Sequence, residues 1–171
     1  MAQQRGRGML KGMAVLAALV VAGAFGLGRA SASAEELRIG LIAPLTGALA
    51  QTGMDMVNGF QMYLDEVKSD LAGAKVKLIV EDEQGKPPVA VQKAEKLVLQ
   101  DKVHLFIGGV LASTGYALAP VSTRHKTIYI VPIAAADDLT QRLKEQYPYL
   151  IRTGWTSSQP THPFGQWACQ Q

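Results

Sequence analysis

The chain has 171 residues, 48% of them hydrophobic and 18% charged, with a formal net charge of +3 and one cysteine. This composition excludes a disordered charged tail, a collagen repeat and a disulfide-dense mini-protein. The length suits one domain, and a pI near 9.0 raises the question of nucleic acid or membrane binding.

The basic charge is concentrated at the start. Arg5, Arg7 and Lys11 precede Met13 to Leu27, a stretch without charge, and small residues lead to Ala32-Ser33-Ala34. A basic start, a short apolar run and an A-x-A site form the pattern of a secretory signal peptide. Residues 1–34 are read as that peptide, with cleavage after Ala34. The rival is an uncleaved membrane anchor, which needs about 20 apolar residues. This run is shorter and is broken by Gly23 and Gly26. Residues 35–171 then carry 13 basic and 14 acidic groups, a net charge of −1. No basic stripe remains to argue for nucleic acid.

The elements then alternate. Leu37–Ala43 is an apolar run of buried-strand type, stopped by Pro44 and Gly47. Met56, Phe60, Tyr63, Leu64 and Val67 recur at helical spacing and predict a helix over 54–70. Val76–Val80 predicts a second strand, and Glu81 to Lys86 a polar turn. Pro87-Pro88 opens a helix whose apolar face is Val91, Ala94, Leu97 and Val98. Val103–Ile107 predicts a strand, Ser113–His125 a helix, and Thr127–Val131 a strand. A short helix over 137–146, a strand over 149–152 and a helix from about Pro163 complete the pattern.

Apolar strands separated by helices imply an α/β fold with a doubly wound parallel sheet. Ligands in such sheets bind at the carboxyl ends of the strands, near a topological switch point. Four loops lie there: 44–53, 81–86, 108–114 and 132–137. The segment Gly108 to Gly115 follows a strand and opens a helix. Its amides and the helix dipole suit an anion, and Ser113 and Thr114 add hydroxyls. The competing reading makes one of them an N-cap only. Pro132–Ala136 leaves either room for a ligand or close helix–strand packing. Asp137-Asp138 is expected to cap the helix that follows, and Glu81-Asp82-Glu83 to be a solvated acidic turn, since EF-hand spacing is absent.

Neither G-x-G-x-x-G nor a P-loop occurs, and no cofactor or metal is expected. The three histidines lack metal-ligand spacing, and His104 is read as structural within its strand. Cys169 is read as an unpaired thiol. A hydrolase triad built on Ser113 lacks the G-x-S-x-G elbow, so the chain is not read as an enzyme. Trp155 is either a cleft-bordering or a packing aromatic. The chain stops inside the first turns of a helix, as expected of a fragment.

Leu37-Arg38-Ile39-Gly40-Leu41-Ile42-Ala43-Pro44-Leu45-Thr46-Gly47 resembles the mature start of periplasmic solute-binding proteins of the branched-chain amino acid transport family. Glu81 to Leu97 is similar to the family's acidic turn and helix, Gly108 to Pro120 to its first ligand loop, and Pro132 to Thr140 to its second. Arg152-Thr153 and Ser157 to Pro160 resemble its lead into the crossover. The resemblance implies two α/β lobes with solute between them, closing about a hinge, and makes residues 35–171 part of lobe one. It also implies periplasmic localisation, a monomer when full length, and delivery of solute to the membrane permease and ATPase subunits of an ABC importer. An extracytoplasmic sensor is the alternative.

By this resemblance Ala112, Ser113 and Thr114 hold the ligand carboxylate. Ile133, Ala134 and Ala135 form the second loop, with the Ile133 carbonyl facing an ammonium, and Gln51 and Thr52 border the side-chain pocket. Ala112 and Ala135 stand where the family carries hydroxyls. The resemblance implies an amino acid or a related small carboxylate as solute, and the two missing hydroxyls point away from a free α-amino acid.

Overall fold

The computed structural model describes residues 36–171. The signal-peptide reading therefore lies outside the described residues. Six strands form one sheet in the order β2-β3-β1-β4-β5-β6. They are β1 (Glu36–Ala43), β2 (Asp70–Leu71), β3 (Ala74–Asp82), β4 (Leu105–Gly108), β5 (Ile128–Val131) and β6 (Leu150–Arg152). Four helices, α1 (Ala50–Glu66), α2 (Pro87–Leu99), α3 (Ala112–His125) and α4 (Ser158–Ala168), alternate with them. All pairings are parallel except the antiparallel β2–β3 hairpin at the edge. The doubly wound α/β fold read from the sequence is the one observed, with an antiparallel edge strand added. No helix among the described residues is long and apolar enough to cross a membrane.

Side chains alternate across the sheet and build a core on each face. On one face Ile42, Phe106, Tyr129 and Val131 pack with Ala90, Ala94 and Leu97 of α2 and Leu118 and Val121 of α3. On the other, Ile39, Leu41 and Ile107 meet Met56, Val57 and Phe60 of α1. The chain visits β1 and β3, then crosses to the other side of β1 to lay down β4, β5 and β6. The order therefore reverses between β1 and β4, which puts the switch point at the loops after those two strands.

Several boundaries differ from the periodicity, for local reasons. Helix α1 begins at Ala50, after a turn in which Ala50 N donates to Gly47 O at 3.2 Å. It ends at Glu66 because Lys68 and Ser69 take positive φ, 52° and 51°. Those residues turn the chain into β2. The hairpin turn is Ala72-Gly73, both with positive φ, so it lacks the Asn-Gly signature that marks such turns in a sequence. β4 starts at Leu105. His104 lies just before it, where its Nδ1 accepts from Arg38 N at 3.0 Å and its own N–H donates to Arg38 O at 2.9 Å.

Of the helix expected over 137–146, only the 3-10 turn Asp137–Leu139 forms. Asp137 caps a different element. Its carboxylate accepts from Ser158 Oγ at 2.6 Å and from Ser158 N, at the start of α4. Hydrogen bonds from Ser158 hold that carboxyl below the usual range. Helix α4 consequently starts at Ser158, ahead of Pro163. Its first proline, Pro160, falls in the first turn, where a missing N–H is harmless.

The acidic triplet is also different from expectation. Glu81 and Asp82 extend β3, paired with Ile42 and Ala43 of β1, and Glu81 and Glu83 are buried. Lys93 Nζ lies 2.6 Å from Glu81 Oε2, and Lys96 bonds Glu81 Oε1. Burial raises the Glu81 pKa, but the two lysines' hydrogen bonds outweigh it and hold the carboxyl below its ordinary range. A folded-state pKa below the unfolded one contributes stability above the unfolded pKa, lost as pH falls through the folded value. Urea unfolding should therefore show stability falling on acidification below about pH 4.3. Glu81→Gln should cost about 1–2 kcal/mol at neutral pH and flatten that acid limb.

Candidate ligand-binding site

The loops at the carboxyl end of the sheet are tied into one chain of hydrogen bonds. Asp82 joins the first two: Leu45 N donates to its Oδ1 at 2.8 Å and Thr46 Oγ1 to its Oδ2 at 2.7 Å. Burial raises the Asp82 pKa, while bonds from Thr46 and the amides of Gln84 and Leu45 bring it below the ordinary range. Glu83 joins the second to the third, with Thr114 Oγ1 donating to its Oε2 at 3.2 Å. Ala134 N donates to Gly109 O at 3.2 Å and so joins the third to the fourth. The four loops singled out by strand order are therefore contiguous.

At their centre is the N-terminus of α3. Its N-cap, Leu111, is extended and makes no side-chain cap. Gly115 N donates to Leu111 O at 3.1 Å, whereas the N–H groups of Ala112, Ser113 and Thr114 have no hydrogen-bond partner among the described residues. Ala112 and Ser113 are exposed and Thr114 is fully buried. The two free amides on exposed residues, those of Ala112 and Ser113, lie at the positive end of the helix and suit a small anion. The Thr114 hydroxyl is directed to Glu83 and the residue is fully buried, so it supports the helix start from beneath the exposed Ala112 and Ser113 amides.

Two glycines let β4 reach this helix. A Cβ on Gly108 would sit 2.1 Å from Ile42 O, and one on Gly109 2.9 Å from Tyr129 Oη. Tyr129 Oη donates to Gly108 O at 3.1 Å, and its ring stacks on Phe106 with centroids 4.8 Å apart. Burial and the nearby Glu83 carboxyl push the Tyr129 phenol far up, so it stays a donor.

In the second loop, the residues Ile133, Ala134 and Ala135 run beside the α3 start. Ala134 is fully buried. Arg152 Nη1 bonds Ala134 O, its Nη2 donates to Ala136 O at 2.6 Å and its Nε to Thr140 Oγ1 at 3.1 Å. Ser157 N and Oγ both donate to Ala135 O, at 2.8 and 3.0 Å. The Ile133 carbonyl is the one left without a donor in this run, among the described residues. Gln51 and Thr52 lie exposed in the first turn of α1. Gln51 Nε2 donates to Asp55 Oδ1 at 2.8 Å along its own helix, and no hydrogen bond among the described residues joins either residue to the α3 loop. Trp155 is 58% exposed and shares a shallow apolar depression with Gln159 and Pro160.

Sequence reasoning passed over Glu83, Tyr129 and the guanidinium fork of Arg152. The signal for Glu83 was its place at a strand's carboxyl end, inside one of the four loops. Arg152→Lys keeps the charge but loses the fork between two carbonyls. Amide hydrogen exchange should then show the Ala134 and Ser157 N–H groups losing protection by about tenfold. Unchanged protection would mean the fork does not hold this loop.

The loops at the switch point and the uncapped start of α3 thus gather at one end of a mostly parallel α/β sheet. A family model described as periplasmic binding protein matches residues 36–171, and the chain belongs to that family. It is 36% identical over 109 residues to the Leu/Ile/Val-binding protein BraC3 of Rhizobium johnstonii, covering 63% of this chain and 29% of that protein. A solute-binding protein of an ABC transporter from Rhodopseudomonas palustris BisB5, solved with 3,4-dihydroxybenzoic acid, is similar at 31% identity with a TM-score of 0.66. That match covers 71% of this chain and 32% of the other. One from Rhodopseudomonas palustris HaA2, solved with p-hydroxybenzoic acid, is 27% identical with a TM-score of 0.72, covering 80% of this chain and 36% of the other. The chain thus spans about a third of the length of these relatives.

Proposed function

We propose that this chain is the first part of an extracytoplasmic solute-binding protein of an ABC importer, and that residues 35–171 form part of its N-terminal lobe. Its role is capture of a small carboxylate between lobes and delivery to a membrane permease, with no chemical step. The complete protein acts as a monomer. The observation that carries the reading is the uncapped start of α3, with three free N–H groups at the loop where strand order reverses.

The residues proposed to bind are Ala112, Ser113 and Thr114 for the carboxylate, and Ile133, Ala134 and Ala135 for the opposite wall. Gln51 and Thr52 border the remainder of the solute. Relatives of this chain include a Leu/Ile/Val-binding protein and binders of hydroxybenzoic acids. Alanine at positions 112 and 135 supplies no hydroxyl, which favours an aromatic or aliphatic acid held by its carboxylate over a free α-amino acid. The acidic Glu83 beneath the helix start bears on the same choice.

Calorimetric titration of the purified chain with p-hydroxybenzoate, benzoate and leucine tests this. Binding of the native state at 100 times Kd should stabilise it by about 2.7 kcal/mol, with the aromatic acids ahead of leucine. Leu111→Asp introduces an N-cap carboxylate that takes the free amides for itself. It should stabilise α3 by about 1 kcal/mol and abolish carboxylate binding. Equal binding by wild type and this variant would show that the α3 amides are not the site.

Export through a signal peptide predicts a second observable. Intact-mass analysis of the chain recovered from a periplasmic extract should show Glu35 as the first residue. Retention of residues 1–34 in the membrane fraction would show an anchor instead.

A further inference from the structure

Among the described residues, Glu83 is the one acidic group that is fully buried without a cation. Its residue exposure is 0%. No lysine, arginine or histidine nitrogen lies within 4.0 Å of it among the described residues. Among the described residues its only side-chain hydrogen bond is the one from Thr114 Oγ1, and Oε1 has no partner. The contrast with its neighbours is informative. Glu81, two residues earlier, faces two lysines, and Asp82 takes bonds from Thr46 and from backbone amides. An ionised carboxylate so poorly partnered in an apolar site is far costlier than a neutral acid.

We infer that Glu83 is a positioning residue for the α3 site, holding the first turn of the helix through Thr114 while uncharged. This rests on the reading that α3 binds a carboxylate. Buried Thr114 follows the exposed free amides of Ala112 and Ser113 in the first turn of the helix, and its hydroxyl is bonded to Glu83. A carboxylate on those amides and an ionised Glu83 on the Thr114 hydroxyl would place two negative charges at one helix turn. Neutral Glu83 removes that repulsion and leaves the helix dipole unopposed. Ligand and proton therefore bind together, and the coupling is reciprocal.

The surrounding charges are consistent with this direction. Burial, opposed in part by the Thr114 bond and reinforced by Asp82, raises the Glu83 carboxyl above the ordinary range. Tyr129, on β5, is a neutral phenol directed to Gly108 O. Arg152, on β6, is committed to the carbonyls of Ala134 and Ala136. Lys86, next along the chain, points to Gln84 Oε1 at 3.4 Å. A folded pKa raised above the unfolded one gives stability that is present below the unfolded value and lost as pH rises through the folded value. Carboxylate affinity should fall over the same upper limb.

Two measurements on the full chain test the inference. In protein labelled with carbon-13 glutamate, the Glu83 carboxyl should titrate above the other glutamates. The amide signals of Ser113, Thr114 and Gly115 should move at that same midpoint. Glu83→Gln, which keeps a neutral amide of the same shape, should abolish the amide titration, and Glu83→Leu should displace the signals at every pH. Glu83 titrating with the rest, or α3 amides indifferent to it, would overturn the inference. The second measurement is p-hydroxybenzoate affinity across pH. Wild type should lose up to about tenfold per pH unit above the Glu83 midpoint, and Glu83→Gln should show no such loss. The same pH slope in both would also overturn the inference. If the amide titration appears but no carboxylate binds at any pH, the positioning role stands and the carboxylate site falls.

Discussion

The bond from Thr114 to the buried Glu83 is the contact on which the loop end of this sheet depends. It joins the loop after β3 to the first turn of α3, on opposite sides of the central strand β1 in sheet order. The sheet alone would leave those loops as separate ends of separate strands. A side chain extending from one loop into the floor of another makes them a single surface. Because the bond is buried, neither partner can exchange it for water without leaving a polar atom unsatisfied.

The other links extend the same logic outward. Asp82 secures the loop after β1 from the strand beside it, and Ala134 reaches Gly109 through the backbone. Arg152 then uses one planar group to hold two carbonyls and a hydroxyl of the last loop. What these contacts leave free is as important as what they engage. Among the described residues, the amides at the start of α3, the carbonyl of Ile133 and Glu83 Oε1 are among the polar groups without partners at this edge. A rigid frame with a few unpaired donors and an acceptor is what recognition of a small solute requires.

Much of this edge was legible from the sequence. Strand–helix alternation located the four loops, and Gly108-Gly109 before Ser113-Thr114 pointed to a helix start that a ligand can approach. The acidic triplet misled because three consecutive charges ordinarily mean solvent. Here β3 runs on through Asp82, and alternation along an extended chain sends successive carboxylates to different neighbours. Glu81 meets lysines a full helix turn apart on α2, Asp82 meets a loop, and Glu83 meets α3. Likewise, Asp137 reads locally as the cap of its own segment but serves Ser158, a residue 21 positions away.

The sequence by itself determined the class of fold, because the apolar runs and the helical spacing of Met56, Phe60 and Leu64 are local records of which faces are buried. It also determined which loops gather at the carboxyl end of the sheet, since that follows from the order of strands and helices. Only the tertiary structure decided the charge environment of that edge. Whether a carboxylate is solvated, paired with lysine or buried against a threonine depends on residues distant along the chain, and local pattern carries no record of them. That is why Glu81, Asp82 and Glu83, adjacent and chemically alike, have three different electrostatic fates in the folded lobe.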